Sequence, residues 1–294
     1  MRIVKPLEIT PALLDSTNVV NDYADWASTT TYNTGDRVVH NELVWEALKD
    51  SVTSEPLETN ETDWLRVGFS NKWRMFRQGR DSVSTRDESI DVSITPNQII
   101  TTLAALGLDG FEASLTVTDL TEGVVFGETQ SLVDIGVGDW WEYHFLPTDK
   151  SDTAIFNGIP PFSAATYDLT VAGATTSSTV EAGRIVMGIE RTLGVTNFGT
   201  SVSTLDFSKR ERDEFGNLEL IPRRVVRLVD YDATVETGRL DAVVRLLQEL
   251  SATPTLFIGD EIHDSTITFG VYRDFTQGIT NVALSDLTIQ VEGF

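Results

Sequence analysis

No cysteine occurs anywhere in the chain. Disulfide frameworks, thiolate metal sites and a cysteine nucleophile are therefore excluded. Histidine is almost as scarce: His40, His144 and His263 stand apart, without the HxH or HxxxH spacing that brings two imidazoles to one metal. Positive charge is outnumbered, with 22 Lys and Arg against 45 Asp and Glu, for a formal charge of −23. Such a field repels duplex DNA and anionic membrane surfaces, so neither nucleic-acid binding nor membrane insertion is expected. No run approaches the apolar length needed to cross a bilayer. The opening stretch MRIVKPLEITPALL lacks a signal peptide's apolar core and small-residue cleavage site, so export by the usual route is not expected. Glycine-rich phosphate loops are missing too, because GLDG and GVGDW have neither the Lys nor the strand–loop–helix setting. No cofactor and no metal are expected.

What is present points to packed β structure. At 294 residues, with 40% hydrophobic and 9% aromatic content, the chain can build one large domain or two to three smaller ones. Short runs such as FEASLTVTDL, WWEYHFL, ATYDLTVAG, GRIVMGIE and TITFGVYRDF are rich in Val, Ile, Thr and aromatics and end at Gly, Asp, Asn or Pro. That is the pattern of a β-sandwich or a similar all-β architecture. One helix interrupts it: Leu240, Val243, Val244, Leu247 and Leu250 recur at helical spacing and Pro254 stops them, so this stripe is expected to lie on a sheet. A weaker helical pattern covers 96–108, with Gly107 as terminator. The stretch 173–183, GATTSSTVEAG, reads as an exposed hairpin loop or mobile finger. The expected fold is mainly β, a small aromatic three-stranded N-terminal module plus a β-sandwich-like body with one or two packed helices. Its expected divisions are an extended leader at 1–22, the module at 23–69 and the β-rich body at 70–294, with room for two subdomains.

The module has under fifty residues and no disulfide, so large aromatics must supply its core. Trp26, Tyr32, Trp45 and Trp64 are the candidates. Asn33-Thr34-Gly35-Asp36 supplies a turn with Gly35 free to take positive φ, and RVVHNELVWEA reads as a hairpin with a polar tip. Trp26, Tyr32, Gly35, Asp36, Val38, Trp45, Ala47, Pro56 and Trp64 follow the spacing of the chitin-binding type-3 modules attached to many chitinases and cellulases, which residues 24–68 resemble. The resemblance implies that fold, and it makes Trp26, Tyr32, Trp45 and Trp64 candidate sugar-binding residues. In that family an adjacent pair of exposed aromatics follows the Ala and stacks on sugar rings. Here Lys49 and Asp50 stand in its place, and His40 replaces the hairpin Tyr. The fold is expected without the usual glycan platform, which leaves a structural or interaction role beside chitin-type binding.

Two further stretches are informative. NKWRMFRQGR carries Lys72, Arg74, Arg77 and Arg80 with no acid, the sharpest local reversal of charge in the chain. It reads either as an assembly interface for an acidic neighbour or as a linker whose Trp73, Met75 and Phe76 pack under the module. DFSKRERDEFGNLELIPRRVVRLVDY alternates charge, turns at Phe215-Gly216-Asn217 and returns as a strand. With the later helix and Pro254, Phe257-Ile258-Gly259-Asp260, residues 71–294 resemble bacteriophage tail proteins. That resemblance implies a non-enzymatic virion protein of the tail or tail tip. Its partners would be itself, in a ring or symmetric oligomer, and other tail proteins. The alternative is an adhesin that recognises host-surface glycan through the module. Asp139, Glu142 and His144 in DWWEYH form the most tempting catalytic trio, but alternation sets Trp140, Glu142 and His144 on one strand face opposite Trp141, Tyr143 and Phe145. That is an ordinary half-buried strand, and catalysis is not expected.

Overall fold

A computed structural model describes residues 1–77, 83–134, 140–145, 149–212 and 218–293. It is mainly β, with 52% of residues in strands and 9% helical, and it divides into two compact units. The first comprises Met1–Leu7 and Met187–Phe294, and the second comprises Glu8–Val186. The leader is thus shared out rather than independent: Arg2–Val4 is a strand of the first unit and Leu14–Thr17 a strand of the second.

The first unit is an eight-stranded antiparallel sheet. Arg2–Val4 lies between Glu190–Thr192 and Thr255–Ile258, followed by Ile267–Gly278, Leu284–Gly293 and Val225–Glu236. Val195–Thr196 and Ser201–Asp206 both pair with Val225–Glu236. The N-terminal ammonium donates to the Gly194 carbonyl at 2.6 Å. At Gly270 an added Cβ would overlap the Glu292 carbonyl, so only glycine lets these two strands close. The helix Leu240–Glu249 lies on this sheet, as its apolar stripe requires. Leu240, Val243, Leu247 and Leu250 join Val229, Tyr231, Leu287 and Ile289 in one buried cluster, each large side chain contributing roughly 1.5–3 kcal/mol. Val244 is only half-buried and outside that cluster, and Leu246 packs there instead.

The second unit holds a five-stranded sheet, ordered Gly123–Ser131, Glu112–Asp119, Thr166–Ala172, Ser89–Ile94 and Leu14–Thr17. A four-stranded sheet runs Thr153–Phe156, Thr102–Asp109, Thr179–Gly188 and Ser84–Asp87. The chain passes between these sheets at neighbouring corners. Gly173 donates to the Glu88 carbonyl at 2.8 Å and Glu88 to that of Ser178 at 2.9 Å. The stretch from 173 is therefore a turn between sheets, with Thr179–Gly188 already strand, and not a hairpin finger.

Two local expectations fail. The strand Thr102–Asp109 takes up the second half of 96–108, and in it Thr102, Leu103, Ala104 and Ala105 are buried in succession between two neighbouring strands. A short apolar run buried on both faces has no period that tells strand from helix. Gly107 stops no helix; it holds φ +64° where Gly183 would lie 3.4 Å from its Cβ. Conversely, Trp140–Phe145 is a helix and not a strand, so alternation no longer sorts its residues. Aromatic strand propensity is a weak prior that surroundings override.

Candidate functional site

The module forms as a three-stranded antiparallel sheet of Arg37–His40, Leu43–Ala47 and Trp64–Phe69 within the second unit. Gly35 takes φ +89° in the Asn33–Asp36 turn, which the Asp36 carboxylate closes on the Asn33 amide at 2.7 Å. Asn41 and Glu42 both hold positive φ, as a two-residue turn that matches strand twist demands.

The four aromatics nominated from the sequence build the core. Tyr32, Trp45 and Trp64 are 8%, 4% and 1% exposed, which leaves none of these rings a face for a sugar. Trp64 donates its indole N–H to the Ser54 carbonyl at 2.9 Å, Trp45 to that of His40 at 3.3 Å, and the Tyr32 hydroxyl accepts from the Ala27 amide. Trp26 is half-buried and packs edge-on to His40. Lys49 and Asp50, in place of the stacking pair, close turns: Lys49 Nζ meets Asp63 at 2.5 Å and Asp50 accepts from the Thr34 amide at 3.0 Å. Lys49, Ser54 and Thr62 hold the Asp63 carboxyl down at about 2, and hydrogen bonds from Thr34 lower that of Asp50.

The basic segment that follows also turns inward. In the short helix Asn71–Arg74, Trp73 is buried, as is Met75 just beyond. Arg74 pairs with Asp22 at 2.7 Å and donates to the Phe69 carbonyl. Arg77 is 13% exposed, forms an ion pair with Glu42, lies 3.3 Å from Glu8 and sits over the Trp73 ring at 5.3 Å. The hairpin tip is thus clasped by Arg77, with Glu42 also accepting from the Ser70 amide. Two of the four candidate interface cations are spent inside the unit. Lys72 is half-buried, and Arg80 lies outside the described residues.

Three other features remain. An open cleft of about 840 Å³ lies on the module face opposite its aromatic core, lined by Arg37, Arg66 and Arg74 and by Tyr23, Val44 and Gly68 among others. On the helix Trp140–Phe145, Trp140, Trp141 and Phe145 are exposed, with Trp141 and Phe145 in ring contact at 5.6 Å; Asp139 lies outside the described residues. In the first unit, Ser201–Asp206 runs into a hairpin of Lys209–Arg212 paired with Leu218–Ile221, Arg210 opposite Leu220 and Arg212 opposite Leu218. Pro222, which has no N–H to give a ladder, separates this hairpin from Val225–Glu236, where a single returning strand was expected. Val202, Phe207, Leu218, Leu220 and Val225 are all 42% exposed or more. Phe215-Gly216-Asn217 lie outside the described residues.

Among the described residues no group of His, Asp and Glu could hold a metal, and no helix is long and apolar enough to cross a membrane. Compared with protein-family models, curated proteins and solved structures, the chain matches none. The function must be read from these surfaces. The arm and the cleft were missed in the sequence, although the alternation in LELI beside KRER was a signal for the first.

Proposed function

We propose that the chain is a non-enzymatic structural component of a bacteriophage tail or tail tip, assembling with itself and with other tail proteins. The exposed arm supports this reading most directly. A two-stranded hairpin without a covered face is marginal alone in water, and here it displays Leu218 and Leu220 on one face. Six of the chain's 22 basic residues, Lys209, Arg210, Arg212, Arg223, Arg224 and Arg227, fall within 206–227, so the arm is nearly neutral in a strongly acidic protein. An apolar, locally neutral projection can seat on an acidic neighbour that would repel the rest of the chain. Heterologous seating of this kind closes rings when the rotation permits.

Gold-tagged antibody against the chain, applied to particles from the source lysate, should decorate one point on phage tails under the electron microscope. Antigen found only free in solution, with bare particles, would sink the virion reading. A host-glycan adhesin is the second reading, and it now draws on Trp140 and Trp141, which are 77% and 62% exposed, and not on the buried rings of the module. Loss of host-cell adsorption by Trp140→Ala/Trp141→Ala, with particle assembly unchanged, would put it first.

A further inference from the structure

We infer that the arginine-lined cleft of the module binds an extended acidic peptide segment of a neighbouring polypeptide, laid along the strand Trp64–Phe69. Its charge comes first. Arg37, Arg66 and Arg74 line the cleft and no described Asp or Glu does, in a chain with two acids for about every base. Their partners Glu46, Glu58 and Asp22 lie outside the lining. Arg66 is the cation most available to a ligand. Its ion pair is a 3.0 Å contact to Glu58, with the two side chains 47% and 71% exposed, and such surface pairs exchange readily. A guanidinium has five donors in a planar fork, so each arginine keeps some for a second carboxylate.

Shape and backbone argue for a peptide. Among the described residues Trp64–Phe69 pairs on one side only, with Leu43–Ala47, and is an edge of its sheet. Arg66, Val67, Gly68 and Phe69 all line the cleft, and the bulge that leaves Val67 unpaired breaks their alternation, so the cleft follows this strand over four residues. An edge strand offers backbone donors and acceptors to an added strand. The floor is aliphatic, from Val44, Val67 and Val83, which suits alternate small apolar side chains. The two rings at hand are poor sugar platforms, because Arg37 lies over Tyr23 at 5.9 Å and Arg66 over Phe69 at 5.7 Å. Gly68 pairs with Val44, and a Cβ added there would meet nothing within 4 Å. Among the described residues nothing fills the cleft where a ligand side chain would enter.

The inference rests on the assembly reading only for the source of the peptide, since the arm belongs to the other unit. The test is fluorescence anisotropy with the full chain and a short dye-labelled peptide of alternating glutamate and valine. Parallel titrations use the glutamine–valine analogue and oligogalacturonate. Saturable binding is expected, weakened by salt and by the glutamine exchange. Arg66→Gln removes a charge-assisted contact and should weaken binding about tenfold. Gly68→Val fills the cleft with a residue that strands favour and should weaken it at least as much, with thermal unfolding showing both variants folded. No binding to wild type, or equal binding by both folded variants, overturns the proposal. Binding of oligogalacturonate in preference to the peptide also overturns it and makes the cleft an acidic-glycan site. Repeating the titration on Leu218→Ser/Leu220→Ser separates the two readings, because a cleft that still binds stands whether or not the arm assembles.

Discussion

Two segments with clustered basic residues in this acidic chain meet opposite fates. In the linker after the module, Arg74 and Arg77 turn inward onto Asp22, Glu42 and Glu8, over buried Trp73. In the arm, Lys209 and Arg210 pair with acids of the arm itself, Glu211 and Asp206, beside exposed Leu218 and Leu220. The difference lies in the apolar residues nearby. Trp73 and Met75 have a core to enter and draw their arginines with them, whereas the arm's leucines have none within the described residues of their unit. Basic residues in an acidic chain therefore do not by themselves mark an interface. Basic residues beside uncovered leucines are the better sign.

The largest expected effect tests the inward segment. Arg77→Ala removes charged hydrogen bonds and leaves Glu42 without its cation, so stability should fall by about 2–3 kcal/mol in urea unfolding. An unchanged midpoint would show the clasp to be dispensable. Glu42→Gly loses the same pair but relieves a left-handed residue at φ 71°, worth about 1 kcal/mol, so its net loss should be nearer about 1–2 kcal/mol. A larger loss than that of Arg77→Ala would mean that strain at the tip is not what separates the two.

The arm should behave in the reverse way. Leu218→Ser/Leu220→Ser touches no core, and urea unfolding should move by no more than about 0.5 kcal/mol. Sedimentation should nonetheless show weaker self-association than wild type. A clear loss of stability with association intact would place these leucines in a core and remove the contrast between the segments.

How much of this was legible depended on how local the cause was. The Asn33–Asp36 turn and the positive φ of Gly35 follow from residues next to one another, as does the stripe of Leu240, Val243 and Leu247. Thr102–Asp109 was hidden because its burial on both faces is set by strands far off in sequence. The cleft was hidden for a similar reason: Arg37, Arg66 and Gly68 meet only once the hairpin and the third strand pair, and a bulge between Val44 and Trp45 shifts their register. The roles of Lys49 and Asp50 were half visible. Their polarity argued against a sugar platform, but the partners Asp63 and Thr34 emerged only from the fold.

The smallest effect concerns two aspartates held alike in different settings. Hydrogen bonds from Lys49, Ser54 and Thr62 keep Asp63 at about 2, and Ser208 with Arg210 keep Asp206 at about 2. In both the folded value lies below the ordinary carboxylate value near 4, so each contributes stability above about pH 4 that is lost as pH falls towards about 2. Both groups face solvent, and salt should screen each contribution. The settings separate them. Asp63 ties turns of a module with its own core, so the thermal midpoints of wild type and Asp63→Asn should converge as the solution is acidified through that window. Asp206 closes a turn on an arm without a core, so its protonation should loosen the arm before the unit unfolds. Hydrogen exchange at the Ser208 amide, which donates to Asp206 at 2.9 Å, should accelerate between about pH 4 and about pH 2 relative to the acid-dependent exchange of an unprotected amide. Were that amide to stay protected until the whole unit melts, the arm would share its unit's cooperativity, and its leucines would belong to the fold rather than to a partner.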